Sequence, residues 1–154
     1  MKRVSILVVS IADPLLVGIY ENEKLIDTIE ISGKTSDVLP VVFKKLNSEY
    51  TFDNVIYVNG PGSHMSIKVT YLFLSTFAIV KGIKLLGIDG FELNQNSPIK
   101  ALGKKYFFKD NDGKIHTKLL ESDEKLNSFK LPQSLQGLNF LSDPLPSYNL
   151  PAVY

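Results

Sequence analysis

The sequence predicts an α/β fold with a mixed sheet, in the order β-β-β-α-β-α-β. Three observations carry that prediction. The chain opens on three β-rich runs with short links, two later segments space their apolar residues at helical period, and an apolar strand-like run follows each of those segments.

The opening strands are read at Val4 to Val9, Leu15 to Tyr20 and Leu25 to Ile31, the last alternating as Ile29-Glu30-Ile31 around polar neighbours. Ala12-Asp13-Pro14 and Glu21-Asn22-Glu23-Lys24 are short enough for antiparallel hairpins, so a meander is expected. Met1-Lys2-Arg3 ahead of an apolar run has the look of a signal peptide. The run is short, however, and Asp13-Pro14 interrupts it before any small-residue cleavage site, so it is read as a strand. Ser36-Asp37 then offers capping chemistry, with Pro40 in the first turn. Val38, Leu39, Val42, Phe43 and Leu46 form one stripe of an amphipathic helix ending near Asn47. Asp53 to Asn59 is a fourth strand, Gly60 to Ser63 a tight loop, Met65 to Lys81 a second helix and Lys84 to Ile88 a fifth, buried strand. One half of a ribonuclease-H-like or actin-like ATPase fold has this order, and other α/β arrangements share it.

Residues 1–93 are expected to form this lobe and 94–154 a reduced C-terminal lobe. In the latter, Ile99 to Lys109 and Lys114 to Leu120 flank Asp110-Asn111-Asp112-Gly113 as a hairpin over 99–120. An extended, proline-rich tail follows, tied down by Leu138, Phe140, Leu141 and Tyr154.

At 154 residues and 44% hydrophobic, the chain is long enough for one core without staples. Seventeen basic against sixteen acidic residues give a formal charge of +1, so any nucleic-acid role is expected to be indirect. The lack of cysteine excludes a disulfide framework, a thiol nucleophile and a Cys-based zinc site. The uncharged stretch Val69 to Val80 has twelve residues, against the roughly 20 that span a bilayer, so a soluble protein is expected.

The second helix carries two apolar faces. Ile67, Tyr71, Leu74 and Ala78 fall on one side, and Met65, Val69, Leu72, Phe73 and Val80 on the other. Lys68 and Ser75 make one polar seam between them, and Ser66 and Thr70 the other. A second apolar face left in water makes an unusually large patch. Either the tail from Ser122 onward folds over it, or a protein partner covers it.

A Gly-rich turn between a strand and a helix N-terminus can hold an anion on free backbone N–H groups. Here Gly62 is followed by Ser63-His64-Met65, without the Lys and Ser or Thr of a P-loop, and Ser63 lacks the second glycine of a nucleophile elbow. Gly62-Ser63-His64-Met65 also matches a remnant of tag removal, yet it sits in frame between a strand and a helix of one fold.

The run Val55-Ile56-Tyr57-Val58-Asn59-Gly60-Pro61-Gly62-Ser63-His64-Met65-Ser66-Ile67-Lys68 resembles the TsaB (YeaZ) family, whose pattern is an apolar strand, Gly-Pro-Gly-Ser-Phe-Thr-Gly-x-Arg, then a helix. Gly60, Pro61, Gly62 and Ser63 match outright. Lys68 stands for the family's Arg, and His64, Met65 and Ser66 depart from Phe, Thr and Gly. Ser36-Asp37-Val38-Leu39-Pro40, Lys84-Leu85-Leu86-Gly87-Ile88 and the ending Leu150-Pro151-Ala152-Val153-Tyr154 resemble the family as well. The resemblance implies an actin-like (ASKHA) fold and a cytoplasmic part in making threonylcarbamoyladenosine beside the tRNA anticodon. It implies a non-catalytic subunit pairing with TsaD through N-terminal-lobe helices, joined by TsaE, with tRNA met indirectly. ATP and a metal ion belong to the partner subunits, and a homodimer is expected when TsaD is absent. The interface residues expected on the second helix are Met65, Val69, Leu72, Phe73, Thr76 and Val80.

Actin-like ATPases place an Asp near the end of the first strand to position a hydrated metal ion. Val9 or Ser10 falls there in this chain, and Asp13 before Pro14 reads as a turn-former. His64 and His116, the two histidines, lie on distant elements, the first expected to pack or to serve an interface and the second to face solvent. Asp89, after the fifth strand, suits a site, a helix cap or a turn. Besides the TsaD-binding scaffold, two other readings stand: a small stand-alone nucleotide-binding enzyme of the actin-like superfamily, and a monomeric module that binds some other protein.

Overall fold

The computed structural model describes residues 1–148, so Leu150 to Tyr154, and Tyr154 as an anchor of the tail, lie outside the described residues. The first sheet has the order β3-β2-β1-β4-β5, built from β1 (Lys2–Val9), β2 (Leu15–Glu21), β3 (Lys24–Ile31), β4 (Tyr50–Gly60) and β5 (Lys84–Asp89). The three opening strands pair antiparallel, whereas β4 and β5 join β1 in parallel through helical crossovers, so the sheet is mixed.

Period two along the strands separates two layers. Ile6, Val8, Val17, Ile19, Val55 and Tyr57 face the helices α1 (Thr35–Glu49) and α2 (His64–Lys81). Leu7, Val9, Ile56 and Val58 point to the other face, which is also covered, so the central strands read as nearly continuous apolar runs.

Helix α1 begins one residue before the expected capping pair. Lys34 is its N-cap residue and makes no side-chain capping bond, while Asp37 sits in the first turn, where the helix dipole favours a carboxylate. Pro40 is therefore the sixth helical residue, past the first turn, and the helix runs on to Glu49. Helix α2 stops at Gly82, whose φ of 66° suits glycine and lets its N–H reach Ala78 and Ile79 carbonyls.

The run expected as one strand from Ile99 to Lys109 is broken. Residues 101–104 turn, giving β6 (Ile99–Lys100) and β7 (Lys105–Lys109), and β8 (Ile115–Leu119) completes a second sheet of order β6-β7-β8. Phe107 and Ile99 pack on Phe91 between the two sheets.

Among the described residues the tail leaves Met65, Leu72, Ile79 and Val80 of α2 exposed and reaches the helix at its first residue, where Tyr148 packs on His64. It crosses the sheet face opposite the helices, where Leu135 is buried with Leu7, Val9, Ile56 and Val58, and Phe129, Leu131, Leu138 and Phe140 pack around them. Its backbone pairs at both sheet edges: Leu25 N–H donates to Gln133 O at 3.0 Å, and Leu141 and Gly87 exchange bonds at 2.8 and 2.9 Å. No helix among the described residues is long and apolar enough to cross a membrane.

Candidate functional site

The segment 60–63 is a buried junction between β4 and α2. Gly60, Pro61 and Gly62 are all buried. Gly60 holds φ at 144°, a region that L side chains rarely adopt, and a Cβ there would lie 2.4 Å from the Ser147 carbonyl oxygen. The tail is fixed at the same place, because Ser147 N–H donates to Asn59 O at 2.8 Å and Asn59 Nδ2 donates to Leu145 O at 3.1 Å. From the other side Ile11 closes on Gly62. The glycines therefore admit packed neighbours at this turn.

Ser63 is the N-cap of α2, its hydroxyl accepting from Ser66 N–H at 3.5 Å. His64 packs its ring edge-on to Tyr148, with centroids 4.6 Å apart. Lys68 is exposed.

Ser66 and Thr70, expected as a polar seam between two apolar faces, turn inward instead. Ser66 Oγ donates to Ser10 O at 2.6 Å, and the buried hydroxyls of Thr70 and Ser10 meet at 2.6 Å. The inward bonding has a plain cause. The chain leaves β1 at Ser10 beneath this side of α2, and its polar groups need partners once buried. Ser10, one of two residues at the end of the first strand where an actin-like ATPase has its Asp, is thus engaged with the helix, and Val9 points into the opposite layer.

Asp89 caps the short helical turn after β5, accepting from Phe91 N–H at 3.1 Å, and pairs with Lys109 Nζ at 2.6 Å, which ties the second sheet to the first. Asp13 is exposed in its turn, and exposed His116 of β8 lies beside Phe108 of β7. A cleft of about 690 Å³ opens between the 11–14 loop, Lys100 and Tyr106 of the second sheet, and residues 126–129.

The outer face of α2 is a solvent-exposed apolar stripe. Met65 is 71% exposed, Leu72 54% and Val80 77%, with Thr76 exposed and Val69 half-buried among them. Ile79, not singled out from the sequence, is 80% exposed and belongs to the same stripe. Its spacing was the available signal: it follows Leu72 by seven residues and Met65 by fourteen, about two and four turns. Phe73 departs from the stripe. Its ring lies 5.6 Å from Phe43 of α1, and Phe77 stacks beyond it, so Phe73 belongs to the packing between the helices.

No protein-family model and no curated protein matches the chain. Among solved structures it is similar to YeaZ from Pseudomonas aeruginosa, with a TM-score of 0.57 at 12% identity, over 83% of this chain and 65% of that one. It is equally similar to an uncharacterized protein with similarity to peptidase YEAZ from Pseudomonas aeruginosa, with a TM-score of 0.57 at 11% identity, over 84% of this chain and 65% of the other. The chain thus spans just under two thirds of the length of these proteins, 65%. At such identity the likeness is one of fold: a mixed five-stranded sheet and two helices.

Proposed function

We propose that the chain is a short TsaB-like scaffold subunit whose outer α2 stripe docks against TsaD, supporting threonylcarbamoyl transfer to the tRNA adenosine beside the anticodon. The observation that carries this reading is the stripe itself. Among the described residues Met65, Leu72, Ile79 and Val80 are exposed, while Phe129, Leu131, Leu135, Leu138 and Phe140 of the tail pack on the opposite face of the sheet. Four exposed apolar side chains along one helix form the centre of a protein interface, with Lys68 at its polar rim. The fold shared with YeaZ and the Gly60 to Ser63 match support the family assignment, an actin-like lobe followed by a reduced C-terminal lobe.

On this reading ATP and the metal ion belong to the partners, TsaE joins the pair, and the setting is cytoplasmic. The engagement of Ser10 with Thr70, where a metal-positioning carboxylate would stand, supports a subunit without its own phosphoryl chemistry. When TsaD is absent, a second copy of the chain can occupy the stripe as a homodimer. One observation favours the alternative of a nucleotide-binding enzyme, namely the 690 Å³ cleft beyond the end of β1. Size-exclusion chromatography with the TsaD of the same genome tests the scaffold. Co-elution at micromolar concentration is expected, and separate elution together with ATP turnover by the isolated chain would favour the enzyme.

A further inference from the structure

The near-neutral charge of the chain conceals a segregation. Residues 99–120, which form the second sheet, hold six lysines and two aspartates, leaving eleven basic and fourteen acidic residues to the rest. Among the described residues only Lys109 of those six has a carboxylate partner, Asp89.

Strand register sorts this sheet into two faces. Phe107 is buried against Phe91 on the inner one. Lys100 pairs with Tyr106, and Tyr106 with Lys118, placing the three in one row across the outer face; Phe108 and His116 form the next row. Lys100, His116 and Lys118 are exposed, and Tyr106 and Phe108 half-buried. Lys118 Nζ stands 4.3 Å from the Phe108 ring centroid, and the His116 ring lies nearly parallel to Phe108 at 6.1 Å. The Lys100 and Tyr106 end of the face continues into the 690 Å³ cleft, whose opposite wall carries Asp13 and Glu30.

We infer that this outer face binds single-stranded nucleic acid, with bases stacking on Tyr106 and Phe108 and phosphates held by Lys100 and Lys118. Interleaved aromatic and cationic side chains on an antiparallel sheet supply the two things such a strand offers, π faces and backbone charge. Tyr106 and Phe108 are two positions apart on one strand, about 7 Å, so adjacent bases have separate platforms. An incoming base displaces the Lys118 ammonium from Phe108, and the ammonium moves to the neighbouring phosphate. Asp13 and Glu30 repel phosphate from the far wall and confine the backbone to the lysine side. An acidic protein surface would use the lysines and leave the rings idle. The inference uses a different face from the α2 stripe and stands whether or not TsaD is the partner.

Fluorescence anisotropy of a labelled single-stranded RNA of about twelve nucleotides, and of the same sequence as DNA, tests it. The full chain should bind one or both, and their ratio tells whether the sugar is read. Lys100→Glu with Lys118→Glu should weaken binding about tenfold or more and flatten the log–log salt slope by about 1.4. Phe108→Leu, which keeps the apolar packing, should weaken it about fivefold. Lys44→Glu with Lys45→Glu, the same charge change on exposed positions of α1, should leave affinity unchanged. Thermal melts establish that each variant is folded. Absence of binding, equal losses in the two charge-reversed variants, or polyglutamate competing as well as RNA with no effect of Phe108→Leu would each overturn the assignment.

Discussion

Gly60 shows how a short motif is constrained by distant parts of the chain. Its φ of 144° and the Ser147 carbonyl 2.4 Å from a would-be Cβ make Gly60→Ala destabilising by about 2 kcal/mol, measurable as a lowered urea midpoint. The turn itself was legible in Gly60-Pro61-Gly62, but the tail segment lying against it was not, because no local pattern links position 60 to 147. The same holds for Ser10, whose partner Thr70 lies 60 residues downstream. Thr70 looked like part of a solvent seam since helical period registers apolar stripes and is silent on buried hydroxyl pairs. Two tyrosines give these contacts a pH signature. Tyr20 donates to Pro132 O and Tyr57 to Pro144 O, and burial pushes both phenols well above their ordinary value of 10.0. Below pH 10 both are protonated in the folded and unfolded chain alike, so their contribution is complete. Above it the unfolded chain releases protons that the folded chain retains, and stability falls as pH rises. Melting temperatures followed from pH 8 to 11 should drop beyond about pH 10, and less steeply in Tyr20→Phe with Tyr57→Phe.

Helix α2 is where period and packing meet. The inward Ile67, Leu74 and Ala78 were legible from spacing, as was the outward Met65, Leu72 and Val80, because a helix of eighteen residues repeats each face several times. Helical spacing puts Phe73 at the edge of the outer stripe; the ring is long enough to reach Phe43, and only the position of α1 decides which way it turns. The two groups respond differently to charge. Leu72→Glu and Ile79→Glu should change unfolding free energy by no more than about 0.5 kcal/mol each. Phe73→Glu should cost about 2 kcal/mol or more by breaking the aromatic contact, so calorimetry separates interface positions from packing positions. Strand β7 illustrates the opposite limit. Ile99 to Lys109 looked like one run, and the turn at 101–104 rests on Gly103 at φ 60°, a single weak signal.

At the scale of the molecule, the sheet is sandwiched between two helices and its own C-terminal segment. The mixed sheet was legible because β1, β2, β4 and β5 carry strong apolar runs and β3 a weaker alternation. The path of residues 121–148 was not, since that segment docks through isolated backbone bridges at Ser134 and Leu141 and a few apolar anchors, none of which makes a period. Ending the chain after Ser128 should expose Leu7, Val9, Ile56 and Val58, raising dye binding by apolar surface and abolishing a cooperative melt. Within the described residues the same path leaves the α2 stripe exposed, and TsaD is its proposed occupant. Isothermal titration of the chain and of its Leu72→Glu, Ile79→Glu double variant into the TsaD of the same genome tests this most directly. One-to-one binding by the chain is expected, with a loss of about 100-fold or more in the variant at an unchanged melting temperature. Equal affinity of the two proteins, or no heat of binding from the unaltered chain, would contradict it.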